Sequence, residues 1–177
     1  YEIPLRLVGS EMCIRDSVEL VLNGRTVGSK TLKNDCLARF SIPYESGTLE
    51  AVSYDAADHE IGRYKLQSAG GATSLTLDAE EPAAQTGHLC YVRLRYTDEN
   101  GITKPLMRGN IQVQVRGGTL VGLGSACPFN KHSYLDSETD TYYGEALAIV
   151  RMGDGDAMTI AASDGEYSAE LTVSAQA

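Results

Sequence analysis

The stretch Val18-Glu19-Leu20-Val21-Leu22-Asn23-Gly24-Arg25-Thr26-Val27-Gly28-Ser29-Lys30 decides the fold class. Val18 to Leu22 is a short, strand-forming apolar run. Asn23-Gly24 is the dipeptide that most readily takes the two positive φ angles of a tight hairpin turn. Thr26 to Leu32 is therefore predicted to return antiparallel. Working outward, Leu37 to Tyr44 alternates Ala38, Phe40 and Ile42 against Leu37, Arg39 and Ser41, the period of a half-buried strand. Thr48 to Tyr54 and Glu60 to Leu66 follow, separated by the polar turn Asp55-Ala56-Ala57-Asp58-His59. Short strands with turns about every eight to twelve residues are the rhythm of a sandwich.

The pattern pauses at Ser68-Ala69-Gly70-Gly71-Ala72, the best linker in the chain, and restarts with Thr73 to Leu77. An acidic, proline-containing turn (Asp78 to Gly87) leads into His88 to Thr97, which puts Cys90, Val92, Leu94 and Tyr96 on one face and Tyr91, Arg93 and Arg95 on the other. Asn110 to Arg116 is the cleanest strand, with Ile111, Val113 and Val115 inward. Glu145 to Arg151, Ala157 to Ala162 and Glu166 to Val173 complete the set. No window favours an amphipathic helix over a strand. The chain is predicted to be all-β: two tandem sandwiches over 18–68 and 69–177, the first truncated at its N-terminus. Gly117 to Gly144 fits no short turn and is predicted to be one long loop, a kind of segment that is commonly functional or disordered.

The whole chain has 177 residues, a formal net charge of −9, 42% hydrophobic and 22% charged residues, 10 Tyr, 2 Phe and no Trp. That is ordinary for a globular chain and too apolar for a disordered one. No run approaches the roughly 18 to 20 apolar residues of a membrane-spanning helix, and the acidic balance argues against a nucleic-acid partner. A (β/α)₈ barrel, at about 250 residues, does not fit.

Residues 1–17 show no clean strand alternation, helix cap or signal-peptide core. Leu7-Val8-Gly9-Ser10-Glu11-Met12-Cys13-Ile14-Arg15-Asp16-Ser17 resembles the translation of a transposase-end sequencing adapter. Residues 1–17 are therefore predicted to be non-native, the start of a translated metagenomic fragment whose upstream sequence is lost. A native edge strand with Met12 and Ile14 turned inward is the other reading.

Candidate chemistry is sparse. His59, His88 and His132 lack metal-ligand spacing. Cys36, Cys90 and Cys127 form no Cys-x-x-Cys pair, and their odd number favours a reducing compartment; a Cys90–Cys127 bridge is the alternative. Asp136, Glu138 and Asp140 alternate like calcium ligands, but Thr141 and Leu147 stand where that loop needs Gly and Glu, so a solvated loop is expected. No nucleophile elbow, dinucleotide fingerprint or phosphate-loop lysine is present. No catalytic, cofactor or metal site is predicted. Sugar recognition relies on aromatic faces, and these concentrate in the long loop: Phe129, His132, Tyr134, Tyr142 and Tyr143. They are the candidate contact residues, either closing one end of the sandwich or facing a partner or a cleft. Tyr143 is also placed to plug the core as the next strand begins.

Three stretches resemble the C-terminal region of bacterial glycoside hydrolase family 2 enzymes of the β-galactosidase type. They are Val18 to Lys30, Ile42-Pro43-Tyr44-Glu45-Ser46-Gly47-Thr48-Leu49-Glu50-Ala51-Val52-Ser53-Tyr54-Asp55, and Gly122-Leu123-Gly124-Ser125-Ala126-Cys127-Pro128 with Thr141 to Arg151. The resemblance implies immunoglobulin-like sandwiches, the second invasin-like. It also implies a parent that uses two carboxylates about 5 Å apart in a retaining mechanism, on a barrel upstream of the matched region. No motif here corresponds to those carboxylates. The implied role is a non-catalytic accessory region. Its implied partners are the parent's barrel and an oligosaccharide at the cleft edge, with no cofactor, nucleic acid or membrane. The location is bacterial, either cytoplasmic or exported with the parent. The alternative is a repeat segment of a bacterial surface adhesin, which the dissimilarity of the two halves disfavours.

Overall fold

The Asn23-Gly24 turn forms as its chemistry dictates, with φ angles of 52° and 75°, the two left-handed positions of a type I′ hairpin. It joins β1 (Ser17–Leu22) to β2 (Arg25–Thr31). The computed structural model describes residues 16–32 and 37–176, so the predicted adapter segment lies outside the described residues apart from Asp16 and Ser17, and Cys36 lies outside them as well. β3 (Thr48–Tyr54) and β4 (Glu60–Gln67) complete an antiparallel sheet in the order β2-β1-β3-β4. The Asn23 side chain does a second job beyond its turn: Oδ1 accepts the Thr48 N–H at 2.8 Å and Nδ2 donates to the Ser46 carbonyl and to Glu45 at 3.0 Å each. The hairpin tip is thus tied to the start of β3.

Val18, Leu20 and Leu22 are buried on one face of β1, with Ala51 of β3 opposite Leu20. The opposite face carries a polar lattice in which Glu19 accepts from Thr26 at 2.6 Å and Tyr54 at 2.9 Å, and Arg63 bridges Glu50 and Glu60. Leu37 to Tyr44 corrects the sequence reading, because it joins no ladder. Its alternation holds from Ala38 to Ile42, where Ala38, Phe40 and Ile42 are half-buried and Arg39 and Ser41 exposed, but Leu37 is half-buried as well. The Phe40 ring lies over Gly28, 3.0 Å from where a Cβ would stand, and Gly28 pairs with Leu20. The segment therefore covers the apolar face of the sheet instead of extending it.

The chain divides into two compact units, the second running from Ala69 to Ala177. In that unit β5 (Ser74–Ala79), β7 (Leu89–Thr97), β9 (Gly118–Gly124) and β11 (Glu145–Met152) form one sheet in the order β5-β7-β11-β9. A second sheet contains β6 (Ala83–Ala84), β8 (Asn110–Arg116), β10 (Glu138–Asp140), β12 (Ala157–Ser163) and β13 (Ser168–Ala175), ordered β10-β8-β12-β13-β6. Val92, Leu94, Tyr96, Ala148 and Val150 of the first sheet share one core with Ile111, Val113, Met158, Ile160 and Val173 of the second. The described residues are all-β, in immunoglobulin-like sandwich architecture.

Two corrections follow. Gly117 to Gly144 is not one loop: β9 and β10 lie inside it, leaving Ser125 to Ser137 as the connection. Glycine reads as a breaker in sequence, but here it marks close backbone approach within a strand. Gly117, at φ 72°, is the corner at which the chain leaves β8 and enters β9 in the other sheet. Tyr143 does not plug the core either. It is 64% exposed and sits with Gly144 in a two-residue turn, φ 51° and 76°, where the N–H and carbonyl of Tyr142 bond those of Glu145. Cys90 is buried and Cys127 partly so, and both are free thiols.

The segment that reads as a linker is fastened to the second unit. Asp98, 4% exposed, accepts the Gly70 N–H at 2.6 Å and the Asn100 and Ile102 N–H groups at 2.8 Å each. Lys104 Nζ donates to the carbonyls of Gly70, Gly71 and Ala72 and to Thr73 Oγ1, at 2.7 to 3.1 Å. The Gly70 N–H above all holds the Asp98 carboxyl below the usual carboxylate range, against the opposing effect of burial. Because the folded pKa is depressed, the unfolded chain takes up the proton more readily. The stabilisation is present above about pH 3.9, the ordinary aspartate value, and is lost as pH falls through the lower folded value. Asp98→Asn is expected to lower the melting temperature at neutral pH and to flatten its fall below about pH 4, measured by far-UV circular dichroism. An unchanged acid limb would refute this.

Candidate functional site

The strand period places Gly122 and Gly124 of β9 on the outward face of their sheet, opposite Ile149 and Leu147 of β11. Across β11 the next partners are Tyr91 and Arg93 of β7. With no side chains at Gly122 and Gly124, this face sinks into a groove of about 510 Å³ whose lining includes Arg93, Ser125, Tyr134, Tyr142, Glu145 and Leu147. That volume falls in the roughly 300–1,000 Å³ range of small-molecule clefts.

The connection from Ser125 to Ser137 forms one rim. The Tyr134 carbonyl accepts the Leu123 N–H at 2.8 Å. Asp136 Oδ2 accepts the Ser133 N–H at 2.8 Å, and the Ser137 carbonyl accepts from Val113 at 2.8 Å. These bonds bring the Tyr134 ring against Gly124, where any Cβ would overlap it, while 59% of Tyr134 stays exposed. Tyr142 forms the other rim and packs edge-to-face on Tyr143, with ring centroids 4.5 Å apart. The neighbouring Tyr143 pushes the Tyr142 phenol above its ordinary value. Arg93 is held loosely by Glu80 at 3.6 Å, and Glu145 accepts from Thr103 at 3.3 Å. Ser125 Oγ, Asn130 Oδ1 and Asn130 Nδ2 are buried and have no partner.

Of the five residues singled out in the sequence, Tyr134 and Tyr142 line the groove and Tyr143 supports Tyr142. His132 turns away toward the β8–β10 edge, 3.0 Å from Asn110 Nδ2 and 3.4 Å from Glu138. Phe129 is 86% exposed and does not line the groove. The floor was missed, although Gly122-x-Gly124 carried a signal: two glycines spaced by two leave one face of a strand bare. Among the described residues, no group of three or more His, Cys, Asp and Glu side chains is placed to hold a metal ion, and no helix is long and apolar enough to cross a membrane.

The model of glycoside hydrolase family 2 C-terminal domain 5 matches residues 74–172, and that of a domain of unknown function (DUF4982) matches residues 13–62. A solved glycosyl hydrolase family 2 member from Bacteroides cellulosilyticus DSM 14838 is 28% identical with a TM-score of 0.84, over 90% of this chain and 23% of that one. A β-glycosidase from Bacteroides vulgatus aligns at 21% identity and TM-score 0.79, over 90% and 21%. A β-glucuronidase from glycoside hydrolase family 2 aligns at 18% and 0.76, over 93% and 18%. At those identities the latter two speak to the fold alone. The chain spans less than a quarter of the length of each of these structures. No curated protein matches it.

Proposed function

The chain belongs to the glycoside hydrolase family 2 C-terminal domain 5 family, and from that premise we propose that it is a non-catalytic C-terminal accessory region of a family 2 glycoside hydrolase. One observation carries the reading: a chain matched over residues 74–172 by a C-terminal family model is also 28% identical to a family 2 enzyme of which it spans only 23%. Residues 18–68 and 69–177 act as two successive modules. The parent is a retaining enzyme acting on β-galactosides, a reading supported by the likeness of Val18 to Lys30 and Ile42 to Asp55 to β-galactosidase-type tails. The groove rimmed by Tyr134 and Tyr142, with Tyr143 behind Tyr142, is offered to the parent's barrel or to an oligosaccharide at its cleft edge.

The purified chain is expected to give no hydrolysis above blank on 4-nitrophenyl β-D-galactopyranoside or the corresponding glucuronide, and turnover would overturn the assignment. In the full-length parent, deleting residues 125–137 is expected to lower activity; an unchanged rate would remove the groove from the parent's function.

A further inference from the structure

We propose that Asn100-Gly101 is a site of spontaneous deamidation, and that the fold suppresses the same reaction at Asn23-Gly24. These are the two Asn-Gly pairs in the sequence. Glycine after asparagine leaves no side chain to hinder attack by the main-chain nitrogen on the asparagine amide. In that step the Gly101 nitrogen bonds to Asn100 Cγ, its proton passes to the departing amide nitrogen, and ammonia leaves. The five-membered imide then takes up water at either carbonyl. Opening at one gives aspartate; opening at the other gives isoaspartate, whose main chain runs through Cβ. Water is the only co-reactant.

The two pairs differ in what holds the amide. Asn23 Oδ1 accepts the Thr48 N–H, and Nδ2 donates to the Ser46 carbonyl and to Glu45. A Cβ on Gly47 would overlap Oδ1, so the group is enclosed as well as bonded. Asn100 is exposed. Among the described residues its amide has no partner outside its own turn, where it lies against the Asp98 carboxylate. Gly101, at φ 76°, has nothing within 4 Å of where a Cβ would stand. Its N–H is held by one bond, to the Asp98 carbonyl at 3.1 Å. An exposed turn of this kind opens locally at little cost, whereas Asn23 must first come away from the start of β3.

The products act on the residue at the centre of the turn. Asp98 accepts the Asn100 and Ile102 N–H groups on Oδ1 and the Gly70 N–H on Oδ2. A carboxylate at position 100 replaces an amide that favours the Asp98 charge with a like charge. Isoaspartate also adds a methylene to the main chain between the two donors on Oδ1. Both changes loosen the hold on Gly70, so the fastening of the 70–73 segment weakens as the molecule ages.

The test is incubation of the full chain at mildly alkaline pH and body temperature, folded and in urea, followed by peptide mapping with mass spectrometry. In urea both pairs are expected to convert at similar rates. In the folded chain Asn100 is expected to convert at least about tenfold faster than Asn23, whose three bonds outside its turn must break first. Asn23 converting as fast as Asn100, or Asn100 staying intact in the folded chain, overturns the proposal. A ratio that persists in urea overturns its structural cause. Asn100→Gln cannot close the five-membered ring and is expected to stay unmodified. Amide exchange at Gly70 is expected to be about tenfold faster in the aged chain than in the fresh one, and unchanged by ageing in Asn100→Gln. Equal exchange in fresh and aged chains overturns the consequence for Gly70.

Discussion

Gly118→Ala is expected to destabilise the second unit by about 2–4 kcal/mol, the upper end for an overpacked core. Gly118 has no positive φ, so the effect is one of contact alone. A methyl group there would overlap the sulfur of Met158, which is fully buried, and the backbone carbonyl of Arg151. Met158 is flexible, but its surroundings are packed, and the Arg151 carbonyl belongs to the β11 ladder that pairs with β9. The neighbouring Gly117 carbonyl accepts the Gly153 N–H at 3.0 Å, so the corner cannot slide away without breaking another bond. With about 4–8 °C per kcal/mol for a domain near this size, the melting temperature is expected to drop by about 8–32 °C. Gly155→Ala is the control, because its nearest neighbour is a carbonyl at 3.8 Å; it should stay within about 0.5 kcal/mol. Equal melting temperatures for the two variants would show that the corner is not packed as described.

The same corner shows where sequence pattern stops carrying structure. The hairpin at Asn23-Gly24 was legible because its turn is decided by two adjacent residues and its strands by period-two alternation. The faces of β7, β8 and β13 were legible for the same reason, down to Cys90, Val92, Leu94 and Tyr96 on one side. Leu37 to Tyr44 shows the limit: alternation reports which side of a segment is covered, and a segment crossing a sheet face alternates as a paired strand does. Gly117-Gly118 and Gly122-x-Gly124 show another, since glycine that permits a turn and glycine that permits close packing have the same letter. The groove was half visible, through the tyrosines of its rim. Its floor is the absence of side chains at Gly122 and Gly124 of β9, set against Ile149 and Leu147 on β11, and that pairing is fixed only by a ladder between strands distant in sequence. The two-residue β6, paired parallel to β13, had no pattern long enough to read.

Tyr96→Phe is expected to lower stability by about 1–3 kcal/mol, the cost of removing one partner from a buried hydrogen bond. Tyr96 is fully buried and packs edge-to-face on Tyr167, with centroids 6.1 Å apart. Its hydroxyl donates to Asp164 Oδ2, while Asp164 Oδ1 accepts the N–H groups of Glu166 at 2.9 Å and Tyr167 at 2.7 Å. One carboxylate thereby fixes the turn between β12 and β13 and joins it to the opposite sheet. Burial raises the Tyr96 phenol, and the Asp164 hydrogen bond raises it further, so it remains a donor. At Asp164 burial acts upward, but the Tyr96 hydroxyl and the two N–H groups outweigh it and hold the carboxyl below its usual range. The space around the hydroxyl is tight, since a methyl on Gly109 would overlap it. The sign follows from the depressed folded pKa: the increment is fully present above about pH 3.9 and is lost as pH falls through the folded value. The melting temperature of Tyr96→Phe should therefore lie about 4–24 °C below that of the parent sequence near neutrality, and the gap should narrow as the solution is acidified past pH ~4. A gap that does not change with pH would assign the loss to packing against Tyr167 and remove the carboxylate from the account.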